Sequence, residues 1–233
     1  MRLDKYLCDA GIGTRSQVKE IIRRKAVTVN GKTVTDAGMK IDAAKDIILY
    51  QGRQIAYTAL VYYLLNKPAG VVSATRDPSD RTVLDLLSPT DYRDDIFPAG
   101  RLDKDTEGFL LLTNDGPLAH RLLTPKRHVD KTYEVHTESP VTEAQLRLLE
   151  TGVDIGEDKP TAPASATLIA EQVLLLTIHE GKFHQVKRML EAVGNRVTGL
   201  KRISFGGLEL DETLLPGQYR ALTESEVAIL HEA

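Results

Sequence analysis

Between residues 96 and 116 the chain passes from Ile96-Phe97 through Gly100-Arg101-Leu102-Asp103-Lys104-Asp105-Thr106-Glu107-Gly108 into Phe109-Leu110-Leu111-Leu112. An apolar run of that length, closed by Asn114-Asp115-Gly116, reads as a buried strand ending in a turn. Buried strands on either side of a charged loop hold the loop's carboxylate, Asp103, in a cleft. Gly100 and Gly108 permit tight turns there, or close approach of a ligand. This pattern predicts a site at Asp103.

The 233 residues suffice for one large domain, or for a small and a medium one. With 42% hydrophobic and 27% charged residues the composition is that of a globular chain. No apolar run approaches the roughly 18 residues that span a bilayer, and Met1-Arg2-Leu3-Asp4-Lys5 lacks the apolar core of a signal peptide. A single cysteine, Cys8, excludes an intrachain disulfide and a cysteine-built zinc site. It falls in an apolar helical pattern, as a small buried residue does. No membrane partner, no metal and a cytoplasmic location are the expectations. The net charge of −3 is unevenly spread: residues 1–58 hold eleven Lys/Arg against six Asp/Glu, and the remainder holds 19 against 27. A basic end on an acidic body points to a polyanion partner, although scatter over a solvated surface would give the same totals.

Residues 1–58 read as a compact unit. Leu3 and Leu7 share a helix face, which Gly11 and Gly13 end. Thr14 and Gln17 fit a capping box opening a second helix with Val18, Ile21 and Ile22 inward. Val27-Thr28-Val29-Asn30-Gly31-Lys32-Thr33-Val34 carries the Asn-Gly hairpin signal. Residues 15–32 hold six basic residues and one acid, Glu20, a cluster suited to phosphate oxygens. Together, the Arg2-Leu3-Asp4-Lys5 start, Thr14-Arg15-Ser16 and the hairpin resemble the S4 RNA-binding domain. That resemblance implies RNA docking through Arg2, Arg15, Lys19, Arg23, Arg24 and Lys32.

Residues 53–60 read as a linker. Beyond it strands are expected at 61–66, from Gly70 to Ser73, at 109–113, 131–136 and 173–178. Helices are expected from Thr82 to Leu87, from Thr142, and over 184–193 with Val186, Met189, Leu190 and Val193 inward. The fold class is α+β: a small domain over 1–58, then a 59–233 domain with a mixed, mainly antiparallel sheet flanked by helices.

Three clusters could carry chemistry. Arg101 and Asp103 are either a surface ion pair worth little or a catalytic carboxylate with its cation. Glu180-Gly181-Lys182-Phe183-His184-Gln185-Val186-Lys187-Arg188-Met189 opens a helix in a stretch, 182–202, with six Lys/Arg and one acid. It is either a solvated face or a phosphate-facing patch that also supplies a cation to Asp103. Tyr133, with His120, Arg121, Lys126, Arg127, His128 and Lys131 upstream, either fills a core or offers a face for base stacking.

Lys67-Pro68-Ala69-Gly70, the Gly100–Gly108 stretch, Lys131-Thr132-Tyr133 and the 180–189 stretch, in that order behind an S4-like unit, resemble the RsuA family of RNA pseudouridine synthases. The resemblance implies Asp103 as the catalytic aspartate and Arg101 beside the displaced base. It also implies Tyr133 on the target uracil and Lys187 paired with Asp103, Lys182 being the second candidate; His184 completes the substrate-binding set. Lys67 takes a structural role. Phe109 stands where relatives often have leucine, a minor departure. Phe183-His184-Gln185-Val186-Lys187-Arg188-Met189 resembles the small-subunit members more than the large-subunit ones, which tend to carry asparagine-arginine in place of Phe183-His184; that resemblance implies an enzyme of 16S ribosomal RNA (the uridine-516 class) rather than of 23S RNA. A non-catalytic RNA-binding assembly protein, or a hydrolase using Asp103 and Asp105, is a further alternative. The implied partner is ribosomal RNA within a small-subunit assembly particle, bound by a monomer without a cofactor. A uridine inside folded RNA must be extruded to be reached, and Asp103 must be ionised to act on it as nucleophile or base. Since burial raises a carboxylate pKa and an adjacent lysine lowers it, Asp103 is expected to be substantially buried and within ion-pair reach of Lys187 or another motif cation.

Overall fold

The computed structural model describes residues 1–55, 57, 59–124 and 129–233. It divides into two compact units, Met1–Val61 with Leu86–Ile96, and Tyr62–Asp85 with Phe97–Ala233.

In the first unit α1 (Leu3–Asp9) and α2 (Arg15–Arg23) accompany a small antiparallel sheet. Its strands are β1 (Val27–Val29), β2 (Lys32–Thr33), β3 (Ile48–Tyr50) and β4 (Arg53–Gln54), in the order β2-β1-β3-β4. Local chemistry sets most of this. The Thr14 side chain accepts from Gln17 N, and the Thr14 N–H donates to Gln17 Oε1 at 2.8 Å, closing the capping box. Asn30 and Gly31 take φ of 50° and 77°, as a two-residue hairpin turn of the primed type requires. Leu3, Leu7, Val18, Ile22, Val27 and Ile48 form the core. Cys8 is only half-buried at its edge, and burial pushes its thiol pKa up. Two readings change. The expected linker begins as β4, because Gln51-Gly52 makes a second tight turn (φ 48° and 77°). Segment Leu86–Ile96 also packs into this unit: Arg15 pairs with Asp94, Lys5 Nζ lies 3.7 Å from Asp95, and the Arg93 guanidinium sits 5.9 Å from the Tyr57 ring centroid.

The second unit is built on a nine-stranded sheet. In chain order its elements are β5 (Tyr62–Lys67), β6 (Phe97–Pro98), β7 (Glu107–Thr113), α3 (Gly116–Leu123), β8 (Lys131–Thr137), α4 (Glu143–Thr151), β9 (Ser165–Ala170), β10 (Val173–Ile178), α5 (Gln185–Ala192), β11 (Val197–Phe205), β12 (Leu208–Glu209), β13 (Tyr219–Ala221) and α6 (Glu224–Glu232). The strand order is β13-β5-β7-β11-β8-β10-β9, with β6 on β7 and β12 on β11; only β7 and β11 run parallel. Strand β7 is central, and Phe109 to Leu112 are all fully buried. Phe109, Leu111 and Phe205 meet Leu118 and Leu122 of α3 and Leu230 of α6 in one core.

Residues 70–73 form a bend rather than a strand, with a single bridge from Val72 to Thr82. The helix expected from Thr82 is a 3-10 turn, Val83–Leu86, tied by the Asp85 carboxylate, which accepts from Thr82 N at 2.7 Å and from Thr82 Oγ1 at 2.9 Å. Elements α3, β9, β11, β13 and α6 lie outside the expectations above, although Asp115 with Pro117, and the Thr223–Glu226 capping box, are helix-start signals. Strand β9 is exposed on both faces, and bulges at Val197/Gly199 and Arg202/Ser204 interrupt the alternation of β11. Among the described residues no helix is long and apolar enough to cross a membrane, and no three His, Cys, Asp or Glu side chains are grouped to hold a metal.

Candidate active site

The loop between β6 and β7 carries Asp103, and its shape comes from buried polar contacts beneath it. The Lys67 side chain is fully buried at the end of β5. Its ammonium shares three N–H donors among four carbonyls: Thr106 O at 2.8 Å, Asp103 O at 3.0 Å, Pro68 O at 3.1 Å and Lys104 O at 3.3 Å. Burial lowers the Lys67 pKa to about 8. Gly70 N donates to Lys104 O at 2.7 Å. Ser73 Oγ donates to Leu102 O at 2.9 Å and accepts from Leu102 N at 3.0 Å. The Lys-Pro-Ala-Gly stretch therefore grips the loop through its backbone. At the loop's far end Gly108 has φ +98°, and a Cβ there would stand 2.2 Å from Arg202 O; only glycine lets β11 approach.

The Asp103 carboxylate is partly buried, with 27% of its side chain exposed, against an expectation of substantial burial. A loop held by its backbone from below leaves the side chain free to meet α5. Lys187 Nζ of α5 lies 3.1 Å from Asp103 Oδ2, and His184 Nε2 lies 3.6 Å from Oδ1. Lys187 also donates to Asp105 Oδ1 at 2.6 Å, a side chain 72% exposed. That bond holds the Asp105 pKa below its usual value. For Lys187, burial lowers the pKa, and the two carboxylates together more than offset it, so the net shift is upward.

Helix α5 presents these groups because Val186, Met189 and Leu190 are buried beneath it. Val193, expected inward, is only half-buried as the C-cap. His184 is the N-cap, in the left-handed region at φ 48°. Buried Gln185 fixes the preceding turn: it accepts from Lys182 N and donates to Glu180 Oε1, both at 2.9 Å. Lys182 turns away from Asp103 and donates to Lys159 O at 3.1 Å and Pro160 O at 3.2 Å. Of the two lysines considered for Asp103, Lys187 stands beside it. Arg101 is exposed on the same loop.

Tyr133 lies on β8, 8% exposed, opposite Arg202 of β11, which in turn stands opposite Gly108 of β7. Register therefore brings the tyrosine, the arginine and the end of the Asp103 loop into one row across three strands. Arg202 was not singled out in the sequence, beyond its place in a basic stretch. It is 3% exposed, donates from Nε to Phe109 O at 2.8 Å and lies 5.0 Å from the Phe205 ring centroid; its Nη2 has no hydrogen-bond partner among the described residues. Lys131, among the basic residues upstream of Tyr133, is buried; it donates to Val129 O at 2.7 Å, and burial lowers its pKa to about 8. His120 is exposed, and Arg121 Nη2 lies 3.0 Å from His231 Nδ1. Lys126, Arg127 and His128 lie outside the described residues.

In the first unit the expected phosphate-binding side chains are largely engaged already. Arg2 Nη2 lies 2.8 Å from Asp4, Arg15 pairs with Asp94, and Arg23 and Arg24 share Glu20 at 2.5 and 2.8 Å. Lys19 and Lys32 are exposed.

The model of the RNA pseudouridylate synthase family matches residues 61–192, and that of the S4 domain matches residues 1–48. An RNA pseudouridine synthase of Bacillus subtilis (strain 168), described as uncharacterized, is 50% identical over 236 aligned residues, covering 100% of this chain and 99% of the relative. The ribosomal small subunit pseudouridine synthase A of Vibrio cholerae is 43% identical over 98% of each chain. Its counterpart in Escherichia coli (strain K12) is 42% identical, over 98% of this chain and 99% of that one. A solved structure, a pseudouridylate synthase, superposes with a TM-score of 0.70 at 38% identity, over 99% of both chains.

Proposed function

The chain belongs to the RNA pseudouridylate synthase family, and from that premise we propose that it converts one uridine of small-subunit ribosomal RNA to pseudouridine, with Asp103 as the catalytic carboxylate. The relatives named for the small ribosomal subunit, at 42–43% identity over nearly the whole chain, support the substrate. The observation that carries the site is the partly buried Asp103 carboxylate, 3.1 Å from Lys187, on a loop gripped from below by Lys67.

The reaction moves the ribosyl C1′ from N1 to C5 of uracil. The N1–C1′ bond breaks, the C5–C1′ bond forms, C5 loses a proton and N1 gains one. Atoms and electrons balance without oxidant, reductant or phosphate, so no cofactor is assigned. Asp103 acts as nucleophile or base on a uridine swung out of the RNA. Arg101, exposed beside it, takes the vacated place in the RNA, and Tyr133 packs against the extruded ring. Lys187 and His184 face the carboxylate from the α5 side, and Lys182 secures the turn before them. Residues 1–58 dock the RNA as an S4 domain through Arg2, Arg15, Lys19, Arg23, Arg24 and Lys32, while 59–233 form the catalytic domain. A monomer in the cytoplasm, meeting the RNA in an assembling small subunit at the position typified by uridine 516, completes the proposal.

The test is Asp103→Asn in the full chain, assayed for pseudouridine formation on a small-subunit ribosomal RNA transcript. Turnover should vanish while RNA affinity stays within a few-fold; near-normal product would remove Asp103 from the chemistry. Mapping pseudouridine in cells with and without the protein checks the substrate. A site missing only from the large-subunit RNA would overturn it, and release of free uracil would replace the isomerase with a hydrolase.

A further inference from the structure

Phe183 is the most exposed large apolar side chain among the described residues, at 70%. It sits in an otherwise polar turn and contributes nothing to a core. One face of its ring is covered by His184, with centroids 3.8 Å apart and planes 19° from parallel. That arrangement depends on an unusual backbone, since His184 is left-handed at φ 48°, a region few non-glycine residues adopt. Such strain persists only where surrounding contacts impose it, and here they are identifiable. Lys182 N donates to Gln185 Oε1 at 2.9 Å on one side, and Arg188 Nη1 donates to Phe183 O at 3.1 Å on the other. Arg188 is itself tied to Glu157 at 2.7 Å. The turn is thus braced from both sides, so the phenyl ring is presented in place with little ordering left to lose on binding.

The orientation matters because His184 Nε2 is 3.6 Å from Asp103 Oδ1. Carboxylate, imidazole and phenyl ring follow one another outward from the site, and the outer face of the phenyl ring is open. A flat aromatic face beside the carboxylate proposed to meet one extruded base suits a second base of the same strand. We propose that Phe183 is a stacking platform for a nucleobase flanking the target uridine, and so helps select the sequence around it. This inference rests on the pseudouridine synthase reading above.

The experiment compares Phe183→Ala, Phe183→Leu and Phe183→Trp in the full chain on a small-subunit ribosomal RNA transcript. Each is also tested with single abasic nucleotides placed on either side of the modified uridine. Because the ring is exposed, none of these substitutions removes core packing. Alanine should raise KM roughly 5- to 150-fold, the range of a lost base–aromatic stack, with the loss falling mainly on KM. Leucine, which keeps apolar area without a π face, should behave like alanine, and tryptophan should restore the wild-type KM. At one flanking position the abasic substitution should weaken the wild type but add nothing to the alanine variant. An unchanged KM in Phe183→Ala, rescue by leucine, or additive losses at every flanking position would each overturn the platform while leaving the synthase reading intact. A wild-type chain that makes no pseudouridine in ribosomal RNA would overturn both.

Discussion

Replacing Lys67 by methionine keeps the length and apolar stem of the side chain and deletes its ammonium. Three of the four carbonyls it serves, those of Asp103, Lys104 and Thr106, belong to the loop that carries the candidate nucleophile. A buried acceptor left without a donor costs about 1–3 kcal/mol, and water reaching the exposed part of the loop spares some of them, so the loss is about 3–6 kcal/mol in all. Against this, methionine removes the cost of burying a charge. Lowering the Lys67 pKa from 10.5 to about 8 corresponds to about 3 kcal/mol at neutral pH. Global stability should therefore fall by only about 0–3 kcal/mol, while kcat, sensitive to loop displacements near 1 Å, should fall about 100-fold. Urea unfolding and a pseudouridine assay on the same preparations read both quantities. The pH dependence gives a second check. The folded pKa is below the unfolded one, so between about pH 8 and 10.5 the unfolded chain holds a proton that the folded chain has released, and stability from this group rises with pH. Activity should move the opposite way above pH 8 as the ammonium is lost. In Lys67→Met the fall in activity should be absent, and the rise in stability should shrink to the share contributed by Lys131, whose pKa burial also lowers to about 8. A variant with kcat within twofold of wild type would refute the claim that this ammonium shapes the loop.

Gly108→Ala should destabilise the chain by about 2–5 kcal/mol in urea, from left-handed strain plus the collision with Arg202 O; a loss under about 1 kcal/mol would mean that β11 yields easily. Arg220 clasps both Glu226 oxygens, at 2.8 and 2.7 Å, and these bonds lower the Glu226 pKa from 4.5 to about 2. Its stabilisation is full above pH 4.5 and lost as pH falls toward 2, so Glu226→Gln should flatten the acid limb of a urea-midpoint profile over that window. The exposed pair Lys19 and Lys32, changed together to alanine, should lower the salt slope of RNA binding by about two. Arg24→Ala should change it less, because Glu20 already holds that guanidinium; an undiminished slope in the double variant would take this face away from the RNA.

Wherever neighbours within a few residues decide the outcome, the order of amino acids was enough. The Thr14 capping box, the Asn30-Gly31 hairpin and the buried strand after Gly108 are local arrangements, set by backbone dihedrals, caps and an unbroken apolar run. The motif order also carried the family. What the sequence order left open were contacts whose partners lie far along the chain. Lys67 reaches carbonyls 36 to 39 residues away, and Lys187 divides itself between Asp103 and an Asp105 that is 82 residues distant. The Lys131 side chain is taken into the interior, and most of the first unit's arginines find acids. Strand register and helix docking make these choices. Only the assembled sheet determines which distant groups share a face and which charges lose their water.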